Sequence, residues 1–160
     1  MLTPATKRVG VFVNATTDAI RRAVVDCKLD FVQLHGSESV AQCRQIAEEG
    51  VGVITVFSVD DEMDFSVTDP YHEVVDYFLF DTKGKLYGGN AKRFNWDVLS
   101  RYDHRTPFFL SCGIDATHID DVKAMKGYNL VALDINSGVE LRPGYKDARK
   151  IRAIQDMLKH

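Results

Sequence analysis

The sequence predicts an α/β fold built on a parallel sheet, on three observations. Six short apolar runs recur along the chain, at 8–14, 31–36, 51–57, 77–82, 107–113 and 130–136. Each is apolar nearly throughout, as strands covered on both faces are. The residues that mark them, Val9, Val32, Val53, Phe78, Phe108 and Val131, are spaced by 23, 21, 25, 30 and 23 residues. Those intervals admit a crossover helix each time and are too long for hairpins.

The elements follow in order. After RVGVFVN (8–14), Ile20, Ala23, Val24 and Cys27 fall at i, i+3, i+4 and i+7, with Thr16 or Thr17 as N-cap. After FVQLHG (31–36), Val40, Cys43, Ile46 and Ala47 make a second apolar helical stripe beyond Ser37. After VGVITVF (51–57) the stretch 60–76 has the weakest pattern, because Pro70 interrupts it. After YFLFDT (77–82), Trp96, Leu99 and Tyr102 begin a short helix that Asn95 caps. After PFFLSCG (107–113), Ile119, Val122 and Met125 make another, stopped by Gly127. After LVALDIN (130–136) a charged amphipathic segment leads to a last helix marked by Ile151, Ile154 and Leu158, with Asp147 near its start.

One domain over residues 1–160 is expected, with enough chain for a core. The apolar fraction is 45% and the charged fraction 27%, as in ordinary soluble domains. A net charge of −3 argues against a nucleic-acid footprint. No apolar run approaches the ~20 residues of a membrane span, and MLTPATKRVGVFVN lacks the apolar core of a signal peptide. Cys27, Cys43 and Cys112 are odd in number and lack a CxxC spacing, so they read as reduced thiols of a cytoplasmic protein.

Two parallel architectures compete, an open doubly wound sheet and an eight-stranded barrel. Polar residues end nearly every strand: Asn14, Gln33 with His35, Asp81, Ser111 with Cys112, and Asp134. An active site assembled from many strand ends favours the barrel; an open sheet concentrates its site at one switch point.

The chemistry-bearing candidates sit at those ends. Asp81 closes the run YFLF, where partial desolvation favours the neutral, proton-donating form of a carboxyl group; an N-cap or a salt-bridged aspartate is the bland alternative. Gln33 and His35 are two residues apart, hence on one strand face. No second His, Cys or carboxylate stands at metal-ligand spacing from His35. Gly88 and Gly89 in KLYGGNAKRF read either as a loop reaching a small-molecule site or as a surface turn. Cys112 with Gly113, and Asp134 with Asn136, Ser137 and Gly138, end the last two strands. In barrels the last two loops often hold phosphate on backbone N–H groups and a helix N-terminus, so both are expected to do so here, with Cys112 a packing thiol.

GVFVN, LDFVQLHGSE, LFDTKGKLYGGNAKRFNW, FFLSCGI and ALDINSGVELRPGYKD occur in the order seen in phosphoribosylanthranilate isomerase, an enzyme of tryptophan biosynthesis. The resemblance covers nearly the whole chain. It implies a (β/α)8 barrel of the TIM type performing an Amadori rearrangement of N-(5′-phosphoribosyl)anthranilate to 1-(2-carboxyphenylamino)-1-deoxyribulose 5-phosphate, without metal or organic cofactor. By resemblance Asp81 is the general acid, and Gln33, His35 and Gly89 bind substrate. Cys112, Gly113, Asp134, Asn136, Ser137 and Gly138 hold its phosphate. The family opens with a strand carrying a Lys-Ile-Cys-Gly type motif, whose cysteine is the general base, and a second unit whose arginine holds the anthranilate carboxylate. Neither motif occurs here, and the chain opens at what resembles the approach to the third strand. The expectation is therefore an incomplete barrel, strands 3–8, truncated and impaired as given, whose free sheet edges favour self-association. The competing class is a non-catalytic, phosphate-ligand-binding barrel fragment that needs a partner chain. Departures within the shared stretch are Cys112 for the family's usual glycine, Ala91 in a glycine-rich loop, and Asn95 where aspartate is usual.

Overall fold

The structure, a computed structural model, describes residues 6–82, 95–111 and 113–159. All six apolar runs form strands: β1 (Val9–Phe12), β2 (Phe31–Leu34), β3 (Gly52–Val59), β4 (Tyr77–Thr82), β5 (Phe108–Leu110) and β6 (Leu130–Leu133). They pair in parallel, and the order in the sheet is the order in the chain. A doubly wound sheet reverses direction at a switch point; this one never does, which is the progression of a barrel wall. β1 and β6 form its two edges among the described residues.

Among the described residues each link between consecutive strands of this sheet carries a helix. Helix α1 (Thr17–Cys27) is capped by Thr16, whose side chain accepts from the Ala19 N–H, and it closes on Lys28 in the left-handed region. Helix α2 (Val40–Ala47) is capped by Ser39 in the same way. Two expected helices differ. The links from β3 to β4 and from β4 to β5 use 3-10 helices, Phe65–Tyr71 and Trp96–Arg101, rather than α-helices. Pro70 lies inside the first, and its missing N–H is tolerable in so short a coil. Asn95 does cap the second, accepting from Asp97 N–H. Helix α3 (Ile119–Ala124) ends at Met125, and Gly127 takes φ +96° just beyond.

The stretch after β6 departs from expectation. A 3-10 turn (Ser137–Val139) follows the strand, and then an antiparallel hairpin, β7 (Glu140–Arg142) with β8 (Tyr145–Lys146), turns at Pro143-Gly144. The last helix, α4 (Ala148–Lys159), starts only at 148, where Asp147 accepts from the Arg149 N–H. The turn after β6, expected to hold phosphate, therefore does not hand over directly to a helix N-terminus.

Strand parity divides the core into two layers. Phe78, Phe80, Phe108 and Leu110 face the helical side and are fully buried with Tyr102 and Leu99. Phe80 lies 5.1 Å from the Phe108 ring and 5.2 Å from that of Tyr102, the latter nearly edge-on. Complete burial of each such ring contributes roughly 1.5–3 kcal/mol. Ile20, Val32, Leu34, Cys43 and Ile46 make the corresponding cluster under α1 and α2. The opposite face is thinner: Ile54, Val56 and Leu79, flanked by Phe31, Tyr77 and Phe109. On that face β1 presents Val9 and Val11, and Val13 follows just beyond its end, at 42%, 58% and 64% exposure, an apolar row beside an edge strand. No helix of the described residues is long and apolar enough to cross a membrane.

Candidate active site

Register places the polar strand ends on one level. Ser58 is paired with Asp81. Pairing of Phe80 with Leu110, and of Leu110 with Leu133, sets Asp81 beside Ser111 and Ser111 beside Asp134. Ladder bonds continue this far, Ser111 N–H to Phe80 C=O at 2.9 Å and Asp134 N–H to Leu110 C=O at 2.8 Å. Two residues separate Asp81 from Leu79 and Ser111 from Phe109, so both point to the inner face that those residues line. Asp134 shares that face through Ala132, the partner of Phe109. With strands about 4.8 Å apart, Asp81 and Asp134 are on the order of 10 Å apart across the row.

Asp81 is the centre of this row. Its side chain is about a third exposed, at 32%, so the desolvation expected at an apolar strand end is partial. One oxygen accepts from the Thr82 N–H at 2.8 Å, which fixes the carboxyl group over the strand end. The other lies 3.9 Å from His35 Nε2. His35 in turn meets the Gln33 side-chain amide through Nδ1 at 3.3 Å. Gln33, His35 and Asp81 thus form one line of polar groups across the mouths of β2 and β4. Ser111 Oγ donates to Asp134 at 3.2 Å and holds the second carboxylate on the far side of the row.

The two glycine turns beyond β5 and β6 touch each other. Gly113 has φ +62°, a backbone state that suits glycine. Gly138 is pressed so closely on the other turn that a Cβ there would lie 2.1 Å from the Ile114 carbonyl oxygen. Asn136 precedes the short turn at Ser137 and accepts from Lys146 Nζ, which also reaches Glu140 at 2.7 Å. Lys146, a cation beside the last turn, is not marked in the sequence by any strand-end position.

Glu38 is the other group that sequence reasoning missed. It is 6% exposed and accepts from the Asn14 N–H at 2.7 Å and from the Gly36 N–H at 2.8 Å. Asn14, at φ +53°, returns its side-chain oxygen to the Ser37 N–H at 2.8 Å. One buried carboxylate therefore ties the mouths of β1 and β2 together and sets the backbone beside His35. Gly89 and Cys112 lie outside the described residues. Cys27 ends α1 and is exposed, whereas Cys43 is buried in α2 against Thr55. Burial pushes the Cys43 thiol above its ordinary range, the opposite of what a nucleophile needs. Two surface hollows, one at Glu62–Ser66 with Arg101 and one at Asn95–Asp97 with Tyr128, contain none of the strand-end side chains.

Comparison with known proteins gives a consistent result. Residues 1–157 match the family model described as N-(5′-phosphoribosyl)anthranilate (PRA) isomerase. An N-(5′-phosphoribosyl)anthranilate isomerase from Parabacteroides distasonis is 40% identical over 154 residues, which cover 96% of this chain and 70% of that protein. Another from Phocaeicola vulgatus is 40% identical over 152 residues, 95% of this chain and 74% of that one. The crystal structure of the Thermotoga maritima phosphoribosyl anthranilate isomerase superposes with a TM-score of 0.85 at 36% identity, covering 99% of this chain and 75% of its own. A phosphoribosyl anthranilate isomerase in complex with reduced 1-(o-carboxyphenylamino)-1-deoxyribulose 5-phosphate gives 0.81 at 33% identity, covering 99% and 74%.

Proposed function

The chain belongs to the N-(5′-phosphoribosyl)anthranilate isomerase family, and on that premise we propose that it binds N-(5′-phosphoribosyl)anthranilate across the row of strand ends and performs the acid step of its rearrangement. The carboxyl group of Asp81 donates a proton to the ribose ring oxygen. The C1–O bond breaks, and the anthranilate nitrogen lone pair forms the C=N bond of a Schiff base. A base then removes the C2 proton, the electrons move toward nitrogen, and the resulting enolamine relaxes to the 2-ketone. Every electron stays within the substrate, so the step calls for no external oxidant or reductant. His35 and Gln33 line the pocket beside the acid. The phosphate lies on the turns at Gly113 and at Asn136, Ser137 and Gly138, with the Ser111–Asp134 bond tying together the two strand ends that carry them.

The observation that carries this reading is the common level and common face of Asp81, Ser111 and Asp134 beside the two abutting glycine turns. The test is a titration of the chain with the fluorescent carboxyphenylamino product, in parallel with Asp81→Asn. Product binding that Asp81→Asn retains, with turnover lost once the first two β/α units are supplied, supports it. Absence of product binding by the unsubstituted chain contradicts it.

The base is a separate step. The resemblance expects it on a cysteine of a preceding strand, and among the described residues Cys27 and Cys43 both stand on the helical layer. The corresponding experiment adds a polypeptide spanning the first two β/α units of the Parabacteroides distasonis relative and follows product fluorescence. A saturable rise in turnover assigns the base to those units. Tight product binding without turnover in either condition favours the second reading, a non-catalytic phosphate-ligand binder. Self-association through the valine row of β1 is part of the same proposal: Val9, Val11 and Val13 present an exposed apolar edge.

A further inference from the structure

A polar cluster sits at the opposite end of the sheet from Asp81. His72 follows the 3-10 helix that precedes β4, and Asp103, Arg105 and Thr106 precede β5. The His72 side chain is 4% exposed and is held between rings, 5.2 Å from Phe78 and stacked at 6.3 Å on Tyr102. Its Nδ1 meets Thr106 Oγ1 at 2.6 Å. Its Nε2 is buried and has no hydrogen-bond partner. A buried imidazole nitrogen left unpaired is costly and calls for a partner.

Nε2 points at two carboxylates. Asp69 Oδ1 lies 3.8 Å away and Asp103 Oδ2 3.7 Å away, and the three ligand atoms all fall within 4.8 Å of one another. Those separations are too long for hydrogen bonds. They are close to the spacing of donors around one ion: bonds of about 2.0–2.2 Å at tetrahedral angles put neighbouring donors roughly 3.4 Å apart. The two imidazole–carboxylate separations exceed that spacing by a few tenths of an ångström and the carboxylate pair by up to about 1.4 Å, and Asp69 and Asp103, 59% and 41% exposed, have room to draw in around an ion. The same carboxylates already hold a cation in this structure: Arg105 reaches Asp69 at 3.0 Å and Asp103 at 2.5 Å, and its own side chain is 58% exposed.

We propose that Asp69, His72 and Asp103 form a binding site for a divalent transition-metal ion, with Arg105 as the built-in competitor that the ion displaces. One imidazole and two carboxylates suit Zn²⁺, Co²⁺ or Mn²⁺, whereas Ca²⁺ and Mg²⁺ ask for six or more oxygens. Thr106 supplies the outer contact: Nδ1 meets its hydroxyl, and in the tautomer that donates from Nδ1–H the Nε2 lone pair is left for the metal. The ion would clamp the segment before β4 to the segment before β5, at the end of the barrel wall where structure rather than catalysis is decided.

The experiment is calorimetric titration of the tag-free, chelator-stripped chain with Zn²⁺, with Co²⁺ absorption as a second probe. One equivalent should bind. Asp69→Asn, whose side chain is exposed and outside the core, should weaken binding by about tenfold or more. His72→Gln should abolish it. Arg105→Ala should tighten it roughly tenfold, since a positive charge is removed from the ion's position. Unchanged affinity in Asp69→Asn, or no gain in Arg105→Ala, would overturn the proposal, and Asp69→Asn keeps it testable if His72→Gln fails to fold.

Discussion

Replacing Gly138 with alanine tests the contact on which the proposed anion site depends. The new Cβ would stand 2.1 Å from the Ile114 oxygen, 2.8 Å from its carbonyl carbon and 3.4 Å from the Asp115 Cβ. An ordinary C···O approach is about 3.3 Å, so the turns must part by roughly 1.2 Å. Neither turn is free to retreat, because Ile114 and Val139 are both anchored in the core at 0% and 1% exposure. Overpacking against backbone of this kind costs about 1–3 kcal/mol. A displacement of about 1 Å in groups that position a ligand lowers its productive binding by up to about 10²-fold. The assay pairs urea denaturation with fluorescence titration of the phosphorylated product. Gly50→Ala is the control: φ there is +76°, nothing lies within 4 Å of the new methyl group, and the position lies between α2 and β3, before the N-terminal end of that strand. It should lose about 1–2 kcal/mol through backbone strain alone while binding product normally. Wild-type stability and affinity in Gly138→Ala would refute the abutting turns and the phosphate site built on them.

Other outcomes follow from the same geometry. Asp81→Asn should lower turnover by about 10²–10⁴-fold in the chain supplied with the two β/α units, with product affinity nearly unchanged; a near-wild-type rate removes Asp81 from the mechanism. Glu38→Ala strands the Asn14 and Gly36 N–H groups and should cost about 2–4 kcal/mol in denaturant unfolding, against little loss if the buried carboxylate is incidental. Tyr102 is 2% exposed, and burial pushes its phenol up to about 12. With the folded value above the unfolded one near 10, its stabilisation is complete below about pH 10 and is lost as pH rises through about 12. Stability should therefore fall across that window with phenolate absorbance appearing on unfolding, and Tyr102→Phe should flatten the fall. Val11→Lys with Val13→Glu should convert an associating chain to monomer in light scattering; unchanged association would place the contact elsewhere.

The strands were legible because their apolar runs are buried on both faces, and their ends because a polar residue interrupts nearly every run. Asp81 stood out for that reason, and its level with Ser111 and Asp134 followed from six parallel strands in sequential order. The links were less legible. Pro70 weakened the helical pattern at 60–76 without revealing that the coil tightens to a 3-10 helix over Phe65–Tyr71. Pro143-Gly144 was read within an amphipathic segment, so the hairpin of Glu140–Lys146 was missed. Glu38 lies between two serines where a helix is about to start, and nothing local marks its bonds to Asn14, a contact 24 residues back. His72 meets Asp103 and Thr106 only through the fold, 34 residues separating the imidazole from its hydroxyl partner.

The most direct test is a crystal structure of the chain with the reduced carboxyphenylamino-deoxyribulose phosphate analogue. The Asp81 carboxyl group should lie within hydrogen-bond reach, about 2.6–3.2 Å, of the sugar oxygen derived from the ring, and the phosphate should accept from backbone N–H groups of Gly113 and Ser137-Gly138. An analogue bound with its phosphate away from both turns, or with Asp81 facing no sugar oxygen, would contradict the assignment of acid and anion site to one pocket.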